Sequence, residues 1–172
     1  MDLKSKIAIY PDFPKPGISF KDINSLIKDG EAFHEVTDQF YEIAKAPDVN
    51  VVCIPEARGY IFGSALAYKL GVGLVPIRKP GKLPGEVMAK SSKLEYGENT
   101  VESQKDAIKT GDRVLIIDDL LATGGTMKAA IDLVELLGGE VCGALFMIEL
   151  TDLKGREALK DYYVRSLIQF PI

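Results

Sequence analysis

The chain of 172 residues has no tryptophan, two cysteines and a single histidine, which argues against several kinds of site. Cys53 and Cys142 lie in apolar runs without the spacing of a zinc or redox motif, so we expect buried thiols and no structural disulfide. His34 lies in a predicted helix without catalytic partners nearby in the sequence. We therefore assign no role to these three residues.

Positive charge is also scarce, since 21 Lys and Arg residues stand against 25 Asp and Glu residues, for a net charge of -4. This balance argues against a nucleic-acid partner held by a broad positive field. The N-terminus lacks the apolar core of a signal peptide, and no apolar run has the length of a membrane span. We expect a cytoplasmic protein without a membrane or nucleic-acid partner, in which amides, a few cations and magnesium would hold a polyanionic substrate.

Hydrophobic residues make up 47% of the chain, which fits one globular domain over residues 1–172. Apolar runs alternate with stretches of helical spacing, and this alternation is typical of the α/β class. We predict an open parallel sheet of about five strands flanked by helices. The predicted strands are 49–54, 74–79, 114–117, 141–150 and 162–170, and the predicted helices are 31–45, 60–70, 127–137 and 153–160.

The most specific stretch runs from Val114 to Thr126. Four apolar residues predict a strand buried on both faces, with Asp118 and Asp119 at its carboxyl end, on the ligand-facing edge of an open sheet. The turn Thr123-Gly124-Gly125-Thr126 then offers backbone amides, hydroxyls and a helix N-terminus to an anion. Carboxylates accept hydrogen bonds from sugar hydroxyls, so the two halves together predict a ribose 5-phosphate site. Either half alone is more simply explained as an ordinary connection between strand and helix, with acids that are merely solvated.

The same stretch resembles the phosphoribosyl diphosphate (PRPP) motif of the type I phosphoribosyltransferases, in which two acids after an apolar run lead into T-G-G-T. The resemblance implies the type I phosphoribosyltransferase fold, with a small N-terminal hood over residues 1–30 and a flexible catalytic loop over about 80–103. It also implies that the ribose and 5-phosphate of PRPP contact Asp118, Asp119, Ala122, Thr123, Gly124, Gly125 and Thr126.

Three prolines and a glycine between Tyr10 and Ile23 predict an extended loop without regular structure. Its sequence, P-D-F-P-K-P-G-I-S-F-K-D-I, resembles the N-terminal segment of adenine phosphoribosyltransferases. In that family the segment covers the base. The resemblance implies that Phe20 stacks on adenine and that the base site also includes Ile18, Ser19 and Lys21.

A second strand, loop and helix segment carries E-A-R-G-Y-I-F-G, which begins at Glu56. Arg58 would lie on the same sheet edge and suits a phosphate, although an isolated arginine is more often in a surface ion pair. The segment resembles the pyrophosphate loop of the same family. This implies that pyrophosphate contacts Glu56, Ala57 and Arg58 and that the Glu56–Ala57 peptide is cis, while Pro55 replaces an expected glycine.

The next strand ends in Arg78 and Lys79 and leads into a basic loop rich in proline and glycine. The run I-R-K-P-G-K-L-P-G again resembles the adenine enzymes, which implies that Arg78 and Lys82 lie near the pyrophosphate. Residues 83–103 are polar and predicted to be irregular, and L-E-Y-G within them matches the catalytic loop, with Glu95 near the purine and Tyr96 near the ribose. Without the resemblance, Lys79 and Glu95 are more simply explained as solvated charges.

Taken together, the resemblances imply transfer of the 5-phosphoribosyl group from PRPP to adenine, which gives AMP and pyrophosphate in purine salvage. They imply a homodimer and magnesium held mainly by PRPP. The residues expected to act in catalysis are Glu95, Tyr96, Arg58, Asp118 and Asp119.

Two alternatives remain open. A 6-oxopurine phosphoribosyltransferase, acting on hypoxanthine, guanine or xanthine, often ends the strand after the motif in a lysine. Here that strand ends in Glu149-Leu150, and a glutamate suits the amino group of adenine. A non-enzymatic PRPP-binding regulator would normally carry a DNA-binding domain ahead of the motifs, whereas ten residues precede Pro11.

Overall fold

Five parallel strands form the centre of the molecule in the computed structural model, which describes residues 1–94 and 97–172. The elements in chain order are β1 (Ala8–Tyr10), β2 (Phe20–Asp22), α1 (Asn24–Ile27), α2 (Gly30–Ala44), β3 (Val51–Pro55), α3 (Gly59–Leu70), β4 (Gly73–Ile77), β5 (Val87–Leu94), β6 (Gly97–Gln104), β7 (Arg113–Leu121), α4 (Gly125–Leu136), β8 (Glu140–Leu150), α5 (Gly155–Ala158) and β9 (Val164–Phe170). The strand order β4-β3-β7-β8-β9 confirms the predicted α/β sheet.

The central strands are apolar on both faces because helices cover both sides of the sheet. Ile54 and Ile117 belong to one core with α2 and α3, and Cys53 and Ile116 belong to a second core with α4. Successive side chains of a strand point to opposite faces. A single apolar run therefore supplies both cores.

Strand β7 is longer than predicted. The predicted strand ended at Ile117, but β7 continues through both aspartates to Leu121, because β8 runs beside it and Asp118 is paired with Phe146. On its other side, β7 pairs with β3 only as far as Ile116. The aspartates therefore still lie past the end of β3, at the carboxyl edge of the sheet.

The N-terminal stretch is partly regular, contrary to the prediction for Tyr10–Ile23. Strands β1 and β2 pair antiparallel, with Tyr10 opposite Phe20. The three prolines lie between the strands, at positions 11, 14 and 16, so the paired residues keep their backbone N–H donors. The Phe13–Pro14 peptide in the connecting loop is cis.

The prediction of an irregular stretch over 83–103 is wrong. Strands β5 and β6 form an antiparallel hairpin, in which Val87 pairs with Gln104 at the open end. One side of the hairpin supplies Met88 and Val101 to the second core, which explains its position against α4. Glu95 and Tyr96 lie outside the described residues.

The remaining predictions concern isolated residues and a short helix. Both cysteines are free; Cys53 is buried as expected, whereas Cys142 is only half-buried. His34 is exposed on α2. The predicted helix over 153–160 is instead a 3₁₀ turn at Thr151–Leu153 followed by α5. None of the helices in the described part of the chain is long and apolar enough to span a membrane.

Candidate active site

Three adjoining clefts open at the carboxyl edge of the sheet. The central cleft, of about 400 Å³, lies between the β3–α3 loop, the end of β7 and the hairpin. The N-terminal cleft, of about 100 Å³, lies between the Ile18–Lys21 segment and the ends of β7 and β8. The turn cleft, of about 90 Å³, is lined by the β7–α4 turn. Leu120 lines all three, so one ligand can extend through them.

Asp119 and Arg58 join the central cleft to the N-terminal cleft. The Nε atom of Arg58 lies 2.8 Å from Oδ2 of Asp119, whose residue is only 7% exposed. The guanidinium carbon of Arg58 is also 5.7 Å from the centre of the Phe20 ring. Arg58, predicted to bind pyrophosphate, therefore contacts both Asp119, predicted to bind ribose, and Phe20, predicted to stack on the base.

Asp118 faces the central and turn clefts. The backbone N–H of Asp119 donates to its Oδ1 at 2.8 Å. Burial raises the pKa of Asp118 well above its ordinary value, and the neighbouring Asp119 carboxylate raises it further, while Arg58 opposes both effects. The protein therefore holds a carboxyl group here at a cost to its own stability at neutral pH.

We expect Asp118→Asn to be more stable than the wild type at neutral pH. A carboxyl whose pKa is raised on folding favours the folded state most below its unfolded value of 3.8 and loses that contribution as the pH rises through the folded value. The gain in melting temperature should therefore widen as the pH rises above about 4, until Asp118 is ionised in the folded protein, by about 2–4 °C for each kcal/mol gained. Asp132→Asn, at a partly exposed acid on α4, controls for the lost charge. A stability difference that does not change with pH would contradict this account.

Glu56 orients Arg78 at the floor of the central cleft. Arg78 Nη2 lies 3.2 Å from Glu56 Oε2, and the backbone N–H of Lys79 donates to Oε1. The Lys79 amide and then Arg78 hold the pKa of Glu56 below its ordinary value, despite an opposing effect of burial. The Glu56–Ala57 peptide is cis, as predicted. Because its carboxylate is already engaged, Glu56 is better suited to position Arg78 than to contact an anion.

Two further lysines of the loop after β4, Lys79 and Lys82, differ in whether they line the central cleft. Lys82 is exposed and does not line it, although its charge also lowers the pKa of Glu56. Lys79, which sequence reasoning left as a solvated charge, is part of the lining. The positive charge of the cleft thus comes mainly from Arg58, Arg78 and Lys79.

The N-terminal cleft brings together all four residues predicted for the base site. Phe20 forms its aromatic wall, with Phe13 edge-on at 5.2 Å between ring centres. The Nζ atom of Lys21 donates to Oγ of Ser19 at 2.7 Å and so holds the loop. The opposite wall contains Ile148 and Leu150, which the sequence analysis did not identify as site residues.

The interpretation of Glu149 as an acceptor for an amino group is wrong. Side chains alternate along β8, so Ile148 and Leu150 face the N-terminal cleft and Glu149 faces away from it. Glu149 is 5% exposed and is paired with Arg156 of α5. It therefore says nothing about which base is bound.

The turn cleft is lined by the turn that precedes α4. Gly124 is the last residue of the turn before α4. Its φ of 88° is in the left-handed region, which residues with a side chain disfavour. Asn99 of β6 donates to Oγ1 of Thr126, so the hairpin contacts this turn directly. Asn99 and Val101 were missed by sequence reasoning, and the alternation of side chains along β6 is the only local signal that could have indicated them.

Among residues 1–94 and 97–172, no cluster of three or more His, Cys, Asp or Glu side chains could hold a metal ion. Two of the three carboxylates that line the central cleft are in ion pairs, Asp119 with Arg58 and Glu56 with Arg78. This leaves Asp118 as the carboxylate of the cleft that could bind a metal ion. Magnesium takes about six oxygen ligands. These residues therefore fit a metal that arrives with most of its ligands supplied by the substrate.

The comparisons with known proteins agree with this geometry. Residues 24–171 match the family model of the phosphoribosyl transferase domain, which defines the class of the protein. The chain is 56% identical over 172 residues to adenine phosphoribosyltransferase of Clostridium perfringens, with 100% of both chains covered. It is also 56% identical over 170 residues to that of Symbiobacterium thermophilum, with coverage of 99% and 100%. The chain belongs to the adenine phosphoribosyltransferase family.

Solved structures of that family have the same fold. The adenine phosphoribosyltransferase of Thermoanaerobacter pseudethanolicus superimposes with a TM-score of 0.94 at 49% identity, with 98% of each chain covered. The Saccharomyces cerevisiae enzyme, complexed with D-2,5-dideoxy-2,5-imino-altritol 1,6-bisphosphate and adenine, gives a TM-score of 0.90 at 40% identity, with 96% of each chain covered.

Proposed function

We propose that this chain transfers the 5-phosphoribosyl group of PRPP to adenine, producing AMP and pyrophosphate for purine salvage. The observation that supports this most strongly is the arrangement of the clefts. An apolar, aromatic-walled cleft for a base adjoins a cationic cleft for a pyrophosphate and a turn for a 5-phosphate, and Asp118 and Asp119 lie between them. Formation of a nucleotide from PRPP needs sites for these three groups around one ribose.

PRPP would occupy the central and turn clefts. The backbone amides and hydroxyls of Ala122, Thr123, Gly124, Gly125 and Thr126 would bind the 5-phosphate. Asp118 and Asp119 would accept hydrogen bonds from the ribose hydroxyls. Arg58 and Arg78 would bind the pyrophosphate, with Ala57 in the same loop, and Lys82 would approach from outside the cleft.

Adenine would lie against Phe20 in the N-terminal cleft. From there its N9 displaces pyrophosphate at ribose C1 through a cation-like transition state, so the protein acts mainly by orienting the partners and stabilising the leaving charge. Magnesium, when bound with PRPP, would neutralise part of that charge. We also propose that Glu95 and Tyr96 belong to a closing loop over about 80–103, which would exclude water from the reacting carbon.

The walls of the N-terminal cleft favour adenine over 6-oxopurines. The two β8 side chains that face the base, Ile148 and Leu150, cannot donate a hydrogen bond to a 6-oxo group. The amine of Lys21 is engaged with Ser19. Neither of these two strand side chains would give a 6-oxo group the hydrogen bond that an oxygen needs in a buried site.

Incubation with Mg²⁺ and PRPP, with adenine, hypoxanthine, guanine and xanthine offered separately, tests the proposal. We expect AMP from adenine and no appreciable nucleotide from the other three bases, measured by chromatography of the products. Nucleotide formation from a 6-oxopurine in preference to adenine would support the alternative transferase. PRPP binding without turnover of any base would support a regulator.

We further propose that residues 1–172 act as one domain, with residues 1–30 as the hood over the base, and that two copies form a homodimer. Exposed apolar side chains on α3 and on the edge strand β4, Tyr68 and Leu74, support a contact with a second copy. Two free thiols suit the reducing cytoplasm. Sedimentation equilibrium of the purified protein tests the dimer.

A further inference from the structure

Glu149 has an elaborate set of partners that none of the proposed catalytic roles uses. Its Oε1 accepts from Nε of Arg156 at 2.8 Å, and its Oε2 accepts from Nη2 of the same arginine at 2.9 Å. Ser166 and Gln169 of β9 also donate to Oε2. Burial raises the pKa of Glu149, but the hydrogen bonds from Arg156 and Ser166 together with the arginine charge outweigh it, so the net pKa lies below the ordinary value.

The other edge of the Arg156 guanidinium is also bound. Its Nη1 donates to the backbone carbonyl of Val164 at 2.9 Å. Arg156 is thus held by the Glu149 side chain of β8 and, on β9, by the Val164 carbonyl and the Ser166 hydroxyl. A planar guanidinium with donors used on two sides has little freedom to move. Because Arg156 belongs to the four-residue helix α5, these bonds fix the place of that helix on the sheet.

Helix α5 lies directly against the turn proposed for the 5-phosphate. A Cβ atom placed on Gly155 would lie 2.4 Å from the carbonyl oxygen of Ala122, and one placed on Gly124 would lie 2.6 Å from the carbonyl oxygen of Gly155. Backbone therefore meets backbone, with no side chain between them. Any displacement of α5 toward the turn must displace the turn as well.

We propose that Arg156 and Glu149 are positioning residues that hold α5 against residues 122–124 and so set the affinity for the 5-phosphate of PRPP without contacting it. This inference rests on the proposed function. A turn of glycines and threonines has few side chains to restrict its backbone, and an unrestricted turn loses more entropy when its amides converge on a phosphate. The contact with α5 removes part of that freedom before the ligand arrives.

Gly155→Ala is the main test because it leaves the buried ion pair intact and adds one methyl group against the turn. We expect KM for PRPP to rise about 10- to 100-fold, since small displacements of binding groups have effects of that size. KM for adenine should stay within about twofold, because the N-terminal cleft is not touched. Calorimetric titration with ribose 5-phosphate, which carries the 5-phosphate but no pyrophosphate, should show the same loss of affinity.

Arg156→Lys gives a second measurement with the charge retained and the bidentate geometry lost. We expect a smaller rise in KM for PRPP than in Gly155→Ala, again with little change in KM for adenine. Arg113→Lys is the matched control, because Arg113 likewise bonds a backbone carbonyl, that of Pro47, and an acid, Glu140, but at the opposite end of the sheet. Melting temperatures of all variants separate a loss of folded protein from a loss of affinity, and if Gly155→Ala does not fold, Arg156→Lys decides.

The outcomes are distinguishable. Unchanged affinity for ribose 5-phosphate in both variants, or an equal loss for PRPP and adenine, would overturn the positioning role and leave the pair with a purely structural one. Failure of the wild type itself to bind PRPP would instead overturn the proposed function, and the positioning role with it.

Discussion

Asp119→Asn should lower kcat/KM for AMP formation about 100- to 1,000-fold while the protein remains folded. Asp119 is buried, carries the ion pair with Arg58 and is proposed to bind the ribose hydroxyls. Hydrogen bonds to a charged group contribute about 1.5–3 kcal/mol each, so weakening two of them corresponds to about 3–4 kcal/mol. Arg58 is nearly half exposed and can be solvated when its partner is lost, which protects the fold.

Steady-state kinetics with PRPP varied at saturating adenine, together with a thermal melt, check this expectation. Asp132→Asn removes a partly exposed carboxylate on α4 by the same chemical change and should leave the kinetics unaltered. Unchanged kinetics in Asp119→Asn would remove Asp119 from the active site. A loss of activity in both variants would point to a general effect of charge.

Phe20→Ala is expected to raise KM for adenine about 5- to 150-fold, with KM for PRPP little changed. Stacking of a base on an aromatic side chain contributes about 1–3 kcal/mol, and the ring of Phe20 is the aromatic wall of the N-terminal cleft. Phe13, edge-on to Phe20, and Arg58, over its face, hold the ring in place. Phe20→Tyr should retain most of the affinity because it keeps the stacking surface.

The matched control for Phe20→Ala is Tyr163→Ala. Tyr163 is a half-exposed aromatic residue that lies beside Gly143, near the amino end of β8 and away from the clefts. Its removal should leave both KM values unchanged. Equal effects on adenine and PRPP in Phe20→Ala would mean that Phe20 supports the whole hood rather than the base.

The acids Asp118 and Glu149 have opposite effects on the stability of the fold. Asp118 has a raised pKa and lowers stability at neutral pH, whereas the net pKa of Glu149 is lowered, so it stabilises the fold above its ordinary pKa of 4.5 and loses that contribution as the pH falls. The first faces open clefts and the second has a full set of partners. The carboxyl group of Asp118 lies at two open clefts, where a polyol ligand would donate hydrogen bonds to it.

The features predicted correctly from the residues themselves depend on short stretches of sequence. The run Val114 to Ile117 is apolar enough to be a central strand, and the small residues around Gly124 favour a turn into the following helix. The cis Glu56–Ala57 peptide was also predicted, but only through the family resemblance.

Residues brought in from distant elements could not be predicted in this way. Asn99 reaches the turn only because the hairpin packs on α4, and its sequence neighbours give no sign of that contact. Glu149 was assigned to the base because strand residues were considered without their register. A shift of one residue along a strand reverses the face of the sheet, so local sequence cannot decide such a side chain's role.

By itself, the sequence determined the order of the five central strands and of the long helices between them, the acid pair followed by T-G-G-T, and the resemblance that implied adenine and PRPP as substrates. The order of the central elements follows from residue spacing and backbone preferences over short stretches, whereas the substrates are what the family resemblance implies. Only the tertiary structure decided that Arg58 pairs with Asp119, that Ile148 and Leu150 line the N-terminal cleft, and that α5 lies against the β7–α4 turn. Such contacts depend on strand register and on close approach of backbones far apart in the chain, which short-range patterns do not encode.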